Sequence, residues 1–418
     1  MHYGAMFLSV VLSLPQQNPP PLHQQLHHRA QNAADTSLTS FQTWRLTPWH
    51  LRRDILLRAA SLLKSREETL KTAMREETSC SAPYADFQVL FAVQCIQETA
   101  SRISALVGEV PNVGAPGSYG FIFREALGPI LLIAPWNAAL ILAGRSLAAI
   151  LGAGCTAIFK ASELSPKTHH LLAQCFIDAG LPNGVLNVLQ TSKEDAESVT
   201  EALIAHKAVK KVEFIGTYMH HGQICYGTER IIILRTIADS FLPLLTKEAS
   251  TFNPGLPVSA TISSSTHAKL LDAASKGATF LLGGPTYSEN GISLAPTIVT
   301  GVTREMIMWD EETFGPCVAV FVVESGEEAV ALVNESSYGF STSIHTRDLE
   351  RALEMSRGLE VGQVQVNANT VYGEANLPCG GIKNTGWGVM NSKWGLEEFT
   401  RLKTFTANME THQNFASH

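Results

Sequence analysis

The most reactive side chain in a suitable setting is Cys225, in the stretch Gly222-Gln223-Ile224-Cys225-Tyr226-Gly227-Thr228-Glu229-Arg230. It stands between a flexible Gly-Gln entry and the β-branched run Ile231-Ile232-Ile233-Leu234. A thiol at the head of a strand, next to a glycine, can serve as a nucleophile facing a cleft; a buried, inert thiol is the ordinary alternative. Pro135-Trp136-Asn137 offers a carboxamide that can donate to a developing oxyanion, or cap the helix that follows. Lys160-Ala161-Ser162-Glu163 sets an ammonium and a carboxylate at a strand end, where a dinucleotide fold binds the adenosine ribose; a solvated turn is the plainer role. Glu163 would repel a 2′-phosphate, which favours NAD over NADP. Gly216-Thr217 follows another strand and is too short a signal to stand alone. Glu311-Glu312-Thr313-Phe314-Gly315-Pro316 joins carboxylates to an aromatic ring and a rigid turn, which suits a sugar and a flat ring, or a loop with one buried Phe. Pro378-Cys379-Gly380-Gly381-Ile382-Lys383, with Gly386 and Gly388, is a loop in which backbone can approach closely. No G-x-G-x-x-G follows any strand.

These residues need a scaffold, and the pattern supplies one. Trp49 to Glu77 is helical, with Leu51, Ile55, Leu56, Ala59, Leu62 and Leu63 at three- and four-residue spacing; Ala85–Leu106 forms a second helical stretch. Tyr119 to Glu125 reads as a strand of a projecting hairpin. Apolar strands over 129–134, 156–160, 184–189 and 212–215 then alternate with helices over 138–151, 165–179 and 195–206. Such alternation predicts a parallel sheet covered on both faces, with ligands beyond the carboxyl ends of its strands. A second α/β series follows Cys225, with strands at 231–234, 318–323, 342–345 and 361–366. Lys403-Thr404-Phe405-Thr406 can pair back onto the early hairpin.

At 418 residues the chain predicts two or three domains. Hydrophobic residues make up 45% and charged residues 17%, with a formal net charge of −7. That balance argues against nucleic acid as the main partner. The seven cysteines have no metal-ligand spacing, so free thiols in a reducing, cytoplasmic setting are expected, with no metal. No apolar run reaches membrane-spanning length. Residues 1–30, rich in Pro, Gln and His from residue 15 onward, read as a disordered extension.

Taken in order, Pro135–Asn137, Lys160–Glu163, Gly180-Leu181-Pro182-Asn183-Gly184, Gly222–Cys225, Glu312 with Phe314-Gly315-Pro316, and Pro378–Gly388 resemble the aldehyde dehydrogenase superfamily from about Trp49 to about Phe405. The wording around Cys225, and from Asn367 to Pro378, is most similar to its aromatic-aldehyde (salicylaldehyde or vanillin) branch. The resemblance implies an α/β fold with a Rossmann-type cofactor domain (31–112 and 127–219), a second α/β catalytic domain (220–398) and an oligomerisation hairpin and strand (113–126 and 399–409). It implies oxidation of an aldehyde through a cysteine thiohemiacetal and thioester, with NAD as cofactor. Cys225 matches the nucleophile and Asn137 the oxyanion hole. Trp136, Lys160, Glu163, Gly216, Thr217, Glu312 and Phe314 match the cofactor contacts, and Asn367 falls where the family lines its substrate pocket.

One departure is large. Between Thr217 and Gly222 the chain has only Tyr218, Met219, His220 and His221. The family carries several dozen residues there, including a sheet strand, a helix end beside the pyrophosphate and the Glu that activates the hydrolytic water. Smaller departures are Cys379, where the family has an aromatic or bulky residue, and Val389-Met390, where many members carry Arg-Glu. The missing helix also contributes to subunit pairing, so the homo-oligomer that the hairpin implies loses one of its contacts. Two functions follow: an NAD-dependent aldehyde dehydrogenase for an aromatic or bulky aldehyde, or a relative impaired by loss of its general base.

Overall fold

The computed structural model describes residues 22–214, 225–251, 260–287, 291 and 293–408. The expected disordered extension is shorter than 1–30, because helix α1 (Leu22–Trp44) begins within it. Ala30 and Ala34 are fully buried, packed with Leu26, Ala33 and Leu38 against the sheet below. This three- and four-residue spacing gives α1 an apolar stripe that outweighs the polar composition around it. Residues 1–21 lie outside the described residues.

Helices α2 (Trp49–Ser65), α3 (Glu67–Thr78) and α4 (Ala82–Arg102) follow, then strand β1 (Ser118–Ala126). Strand β2 (Pro129–Ile133), helix α5 (Ala139–Gly152), strand β3 (Thr156–Lys160), helix α6 (Pro166–Asp178), strand β4 (Leu186–Leu189), helix α7 (Ala196–Ile204) and strand β5 (Lys211–Phe214) come next. Their strands form a parallel sheet in the order β4-β3-β2-β5. Successive side chains face opposite layers, as strand geometry requires. Ile130, Leu132, Ala157 and Phe159 enter the core with α2, α4, α5 and α6, whereas Leu131 and Ile158 face α1 and α7.

The second half starts with strand β6 (Arg230–Leu234) and helices α8 (Arg235–Ser250) and α9 (Ala260–Ser275). Strands β7 (Thr279–Leu282), β8 (Thr297–Thr300) and β9 (Cys317–Val323) complete a sheet ordered β6-β9-β8-β7, in which only the β7–β8 pairing is antiparallel. Strands β7 and β8 were not among the sequence expectations. Helix α10 (Gly326–Asn334), strands β10 (Tyr338–Gly339) and β11 (Ser341–Ile344), helix α11 (Leu349–Gly358), strands β12 (Gln363–Val366) and β13 (Ile382–Lys383), helix α12 (Ser392–Glu397) and strand β14 (Thr400–Asn408) end the described chain. β14 pairs antiparallel with β1 along its whole length, Phe121 opposite Phe405. Among the described residues, no helix is long and apolar enough to cross a membrane.

Candidate active site

Sheet register decides which polar residues meet. Ile133 lies opposite both Lys160 and Phe214, so three neighbouring strands end at one edge of the parallel sheet. The turns they lead into include Pro135–Asn137 and Ala161–Glu163. The continuation of β5, with the expected contacts Gly216 and Thr217, lies outside the described residues, as do His220 and His221.

Asn137 does not cap α5. The cap position is Ala138, whose methyl side chain offers no capping hydrogen bond. The turn is held instead by α4, whose N-terminus is set by Pro83 and by Ser81 accepting from the Tyr84 N–H. One helical turn on, the Tyr84 hydroxyl and the Gln88 amide donate to the Asn137 carbonyl at 3.2 and 3.5 Å. The Gln88 carbonyl accepts from the Leu140 N–H at 3.3 Å. A buried amide that serves both sides of one turn leaves little of its hydrogen-bonding capacity unmet.

Cys225 is exposed on one side and backed by dense protein on the other. That burial pushes its thiol up to about 11; the Arg145 charge opposes the rise, and Cys379 and Glu312 add to it. Arg145 sits in α5, every residue of which is buried. Its Nη1 donates to the Cys379 thiol at 3.7 Å, and its Nε has no hydrogen-bond partner. Burial works against that charge, yet Cys379, Tyr226, Cys95 and Cys225 together hold the guanidinium above its ordinary pKa. The Tyr226 hydroxyl and the Cys379 thiol share a hydrogen bond. Cys379 is fixed by a backbone bridge to Met390. The two smaller departures in the sequence are therefore neighbours in space, directly behind the candidate nucleophile.

Beneath it, β6 and β9 are parallel neighbours, so the chain entering β6 from Cys225 and the chain entering β9 from Glu312 run side by side. Glu312 is half-buried and its carboxyl is pushed up to about 8, by burial and then by the Glu229 charge, with Lys269 opposing. Phe314 is buried and adopts a left-handed φ of 55°, a region sparsely populated by aromatic residues. At the far strand end, Lys160 is 6% exposed. Burial lowers its pKa and the exposed Glu163 opposes the shift. Trp136 is half-buried beside this edge.

Asn367 serves the backbone. Its carboxamide is taken up by Thr346, accepting from the N–H at 3.0 Å and donating to the carbonyl at 2.8 Å. The Gly-rich loop does show the close approach its sequence suggests: a Cβ on Gly362, at the start of β12, would overlap the Gly380 carbonyl oxygen. Sequence reasoning missed Tyr84, Gln88, Arg145 and Glu229. Arg145 alone left a signal, as a single charge in the apolar run Ala138–Leu151.

The profile of the aldehyde dehydrogenase family matches residues 22–218 and 216–405, two stretches that meet at the short junction before Cys225. A vanillin dehydrogenase of Pseudomonas fluorescens is 34% identical over 436 aligned residues, spanning 90% of this chain and 89% of that protein. A salicylaldehyde dehydrogenase of Pseudomonas putida is 32% identical over 432, with the same coverage. The crystal structure of a salicylaldehyde dehydrogenase from Pseudomonas putida G7, complexed with salicylaldehyde, superposes with a TM-score of 0.88 at 30% identity, over 93% of this chain and 92% of that one. The chain belongs to the aldehyde dehydrogenase family, oxidoreductases that act on aldehydes. Its match to that family begins at residue 22, ahead of the Trp49 expected from sequence.

Proposed function

We propose that this chain binds NAD and oxidises an aromatic or otherwise bulky aldehyde as far as an acyl-thioester on Cys225, which it then hydrolyses slowly. The observation that carries this reading is that the exposed Cys225 thiol lies within electrostatic reach of Arg145, of Glu312 and of Tyr84, whose hydroxyl holds the Asn137 carbonyl. Lys160 and Glu163 give one donor and one acceptor at a strand end, which fits the vicinal hydroxyls of an adenosine ribose. Glu312 would take the nicotinamide ribose, Phe314 would pack beside its ring, and Trp136, Gly216 and Thr217 would complete the contacts. The exposed Glu163 carboxylate is the reason to prefer NAD to NADP. NAD held by these residues would supply the acceptor for the hydride of the aldehyde carbon.

The chain's own residues do the rest. Cys225 gives up its proton to solvent on its exposed side and its sulfur attacks the carbonyl carbon; the Asn137 carboxamide and the Cys225 N–H would receive the resulting oxyanion. Arg145 favours the thiolate that attacks. The parallel-sheet half serves as the cofactor domain and the half after Cys225 as the catalytic domain. The exposed aromatics of the β1–β14 ribbon, Tyr119, Phe123 and Phe405, suit pairing with a second copy. A second reading, a relative that keeps the fold and has lost turnover, is favoured by the family match breaking at 216–218, where the general base would stand.

A stopped-flow assay separates the two. Vanillin or salicylaldehyde with NAD should give one burst of NADH, at most one per chain, with little turnover after it. Steady turnover at ordinary enzyme rates would refute the loss of the base. No burst with no nucleotide binding would establish the inactive relative. Cys225→Ser should abolish the burst.

A further inference from the structure

We propose that Glu229 is a positioning residue for this reaction: from the head of β6 it clamps the Glu312–Phe314 turn in register with the nucleophile's strand. The proposal rests on the function proposed above, and one arm of its test does not. The Glu229 carboxylate accepts from the Thr313 N–H at 3.1 Å and the Thr313 hydroxyl at 2.6 Å through one oxygen, and from the Phe314 N–H at 3.1 Å through the other. Its backbone carbonyl accepts from the Ala319 N–H at 3.0 Å, within the β6–β9 pairing. One residue therefore belongs to the sheet ladder by its main chain and to the turn by its side chain.

Two carbonyls of the turn are pinned from α9. The Glu312 carbonyl accepts from the Lys269 ammonium at 2.5 Å, and the Thr313 carbonyl accepts from the Thr266 hydroxyl at 2.9 Å. A Cβ on Gly315 would overlap Thr266, so turn and helix are in closest approach there. Five hydrogen bonds from two elements over-determine a turn that contains a left-handed aromatic residue. This is how an unfavourable backbone conformation persists. A packing role alone would need an apolar side chain. Three converging donors need a group that only accepts, and among acidic and amide side chains only the carboxylate does so. The consequence is distance control: Cys225, Glu312 and Phe314 are tied through the short segment from Cys225 to Glu229 and cannot drift apart independently.

The decisive variant is Glu229→Gln, which keeps the shape and turns one acceptor into a donor facing a donor. Thr313→Val, which removes only the hydroxyl, is the milder companion. Amide hydrogen exchange of the nucleotide-free protein should show Thr313 and Phe314 exchanging about tenfold faster or more in Glu229→Gln, and less so in Thr313→Val. The NADH burst should slow by a similar factor, while alkylation of Cys225 by iodoacetamide stays within about twofold of wild type. Unchanged exchange at both amides overturns the clamp. Faster exchange with an unchanged burst overturns its positioning role. A wild-type chain with no burst overturns the proposed function instead, and the exchange measurement then decides the clamp by itself.

Discussion

His169 offers the sharpest test of how the cofactor edge is built. It is fully buried in α6, with its ring edge-on to Phe159 at 5.0 Å between centroids. Its Nδ1 accepts the Ser162 N–H at 3.1 Å, which fixes the turn between Lys160 and Glu163. Burial, opposed by the Ala139 carbonyl and aided by the Lys160 charge, lowers its pKa from 6.5 to about 3. The unfolded chain therefore takes up a proton below pH 6.5 that the native ring refuses. The stability this confers is complete above pH 6.5 and is lost as pH falls toward 3. At pH 5 the loss is about 1.5 pH units at ~1.4 kcal/mol each, or roughly 2 kcal/mol. Urea unfolding at about pH 7.5 and about pH 5, compared between wild type and His169→Gln, isolates this from the carboxylates common to both. The wild type should lose about 2 kcal/mol more than the variant, and the His169 imidazole should show no NMR titration near 6.5. Equal losses in the two proteins, or an imidazole titrating near 6.5, would refute the reasoning.

Three further outcomes are expected. Because burial holds the Cys225 thiol up to about 11, its alkylation in the nucleotide-free protein should rise about tenfold per pH unit from neutrality to about pH 10. Site-resolved mass spectrometry would reveal an error as a plateau below pH 9. Glu312, raised to about 8 beside Glu229, stabilises the fold most below pH 4.5 and loses that contribution as pH rises through 8. Glu312→Gln should thus gain on wild type in thermal stability between pH 6 and pH 9; a constant gap would contradict the assignment. Gly362→Ala forces a Cβ onto the Gly380 carbonyl and should cost about 1–3 kcal/mol as overpacking, an unchanged melting temperature being the contrary result.

What was legible in the sequence follows physical lines. Continuous apolar runs such as Ile130–Leu132 and Ala157–Phe159 announce strands buried on both faces, and those strands are found. Strand β7 opens on threonine and β8 has threonine at both ends, so neither shows the continuous apolar run that marks β2 and β3. Helix α1 was obscured by composition, although Leu26, Ala30, Ala33 and Ala34 carry a helical period. Candidate site residues at strand ends, Asn137, Lys160 and Glu312, can be read because strand ends are themselves readable. Tyr84, Gln88, Glu229 and His169 act through hydrogen bonds to distant turns, and nothing local marks them. The Asn367 carboxamide is taken up by Thr346, a contact only the fold could show.

The β1–β14 ribbon sets a schedule for synthesis. Its nine paired positions join residues 118–126 to 400–408, so β1 leaves the ribosome with its partner roughly 270 residues behind. At about 5–20 residues per second, β1 waits roughly 15–55 s for that partner. During this interval an edge that carries Tyr119, Phe121 and Phe123 has no mate in its own chain. Neighbouring nascent chains on one message would each expose the same edge. Closure of this strand thus waits for residues 400–408, and truncation ahead of Thr400 should bring aggregation before it brings any loss of the cysteine site.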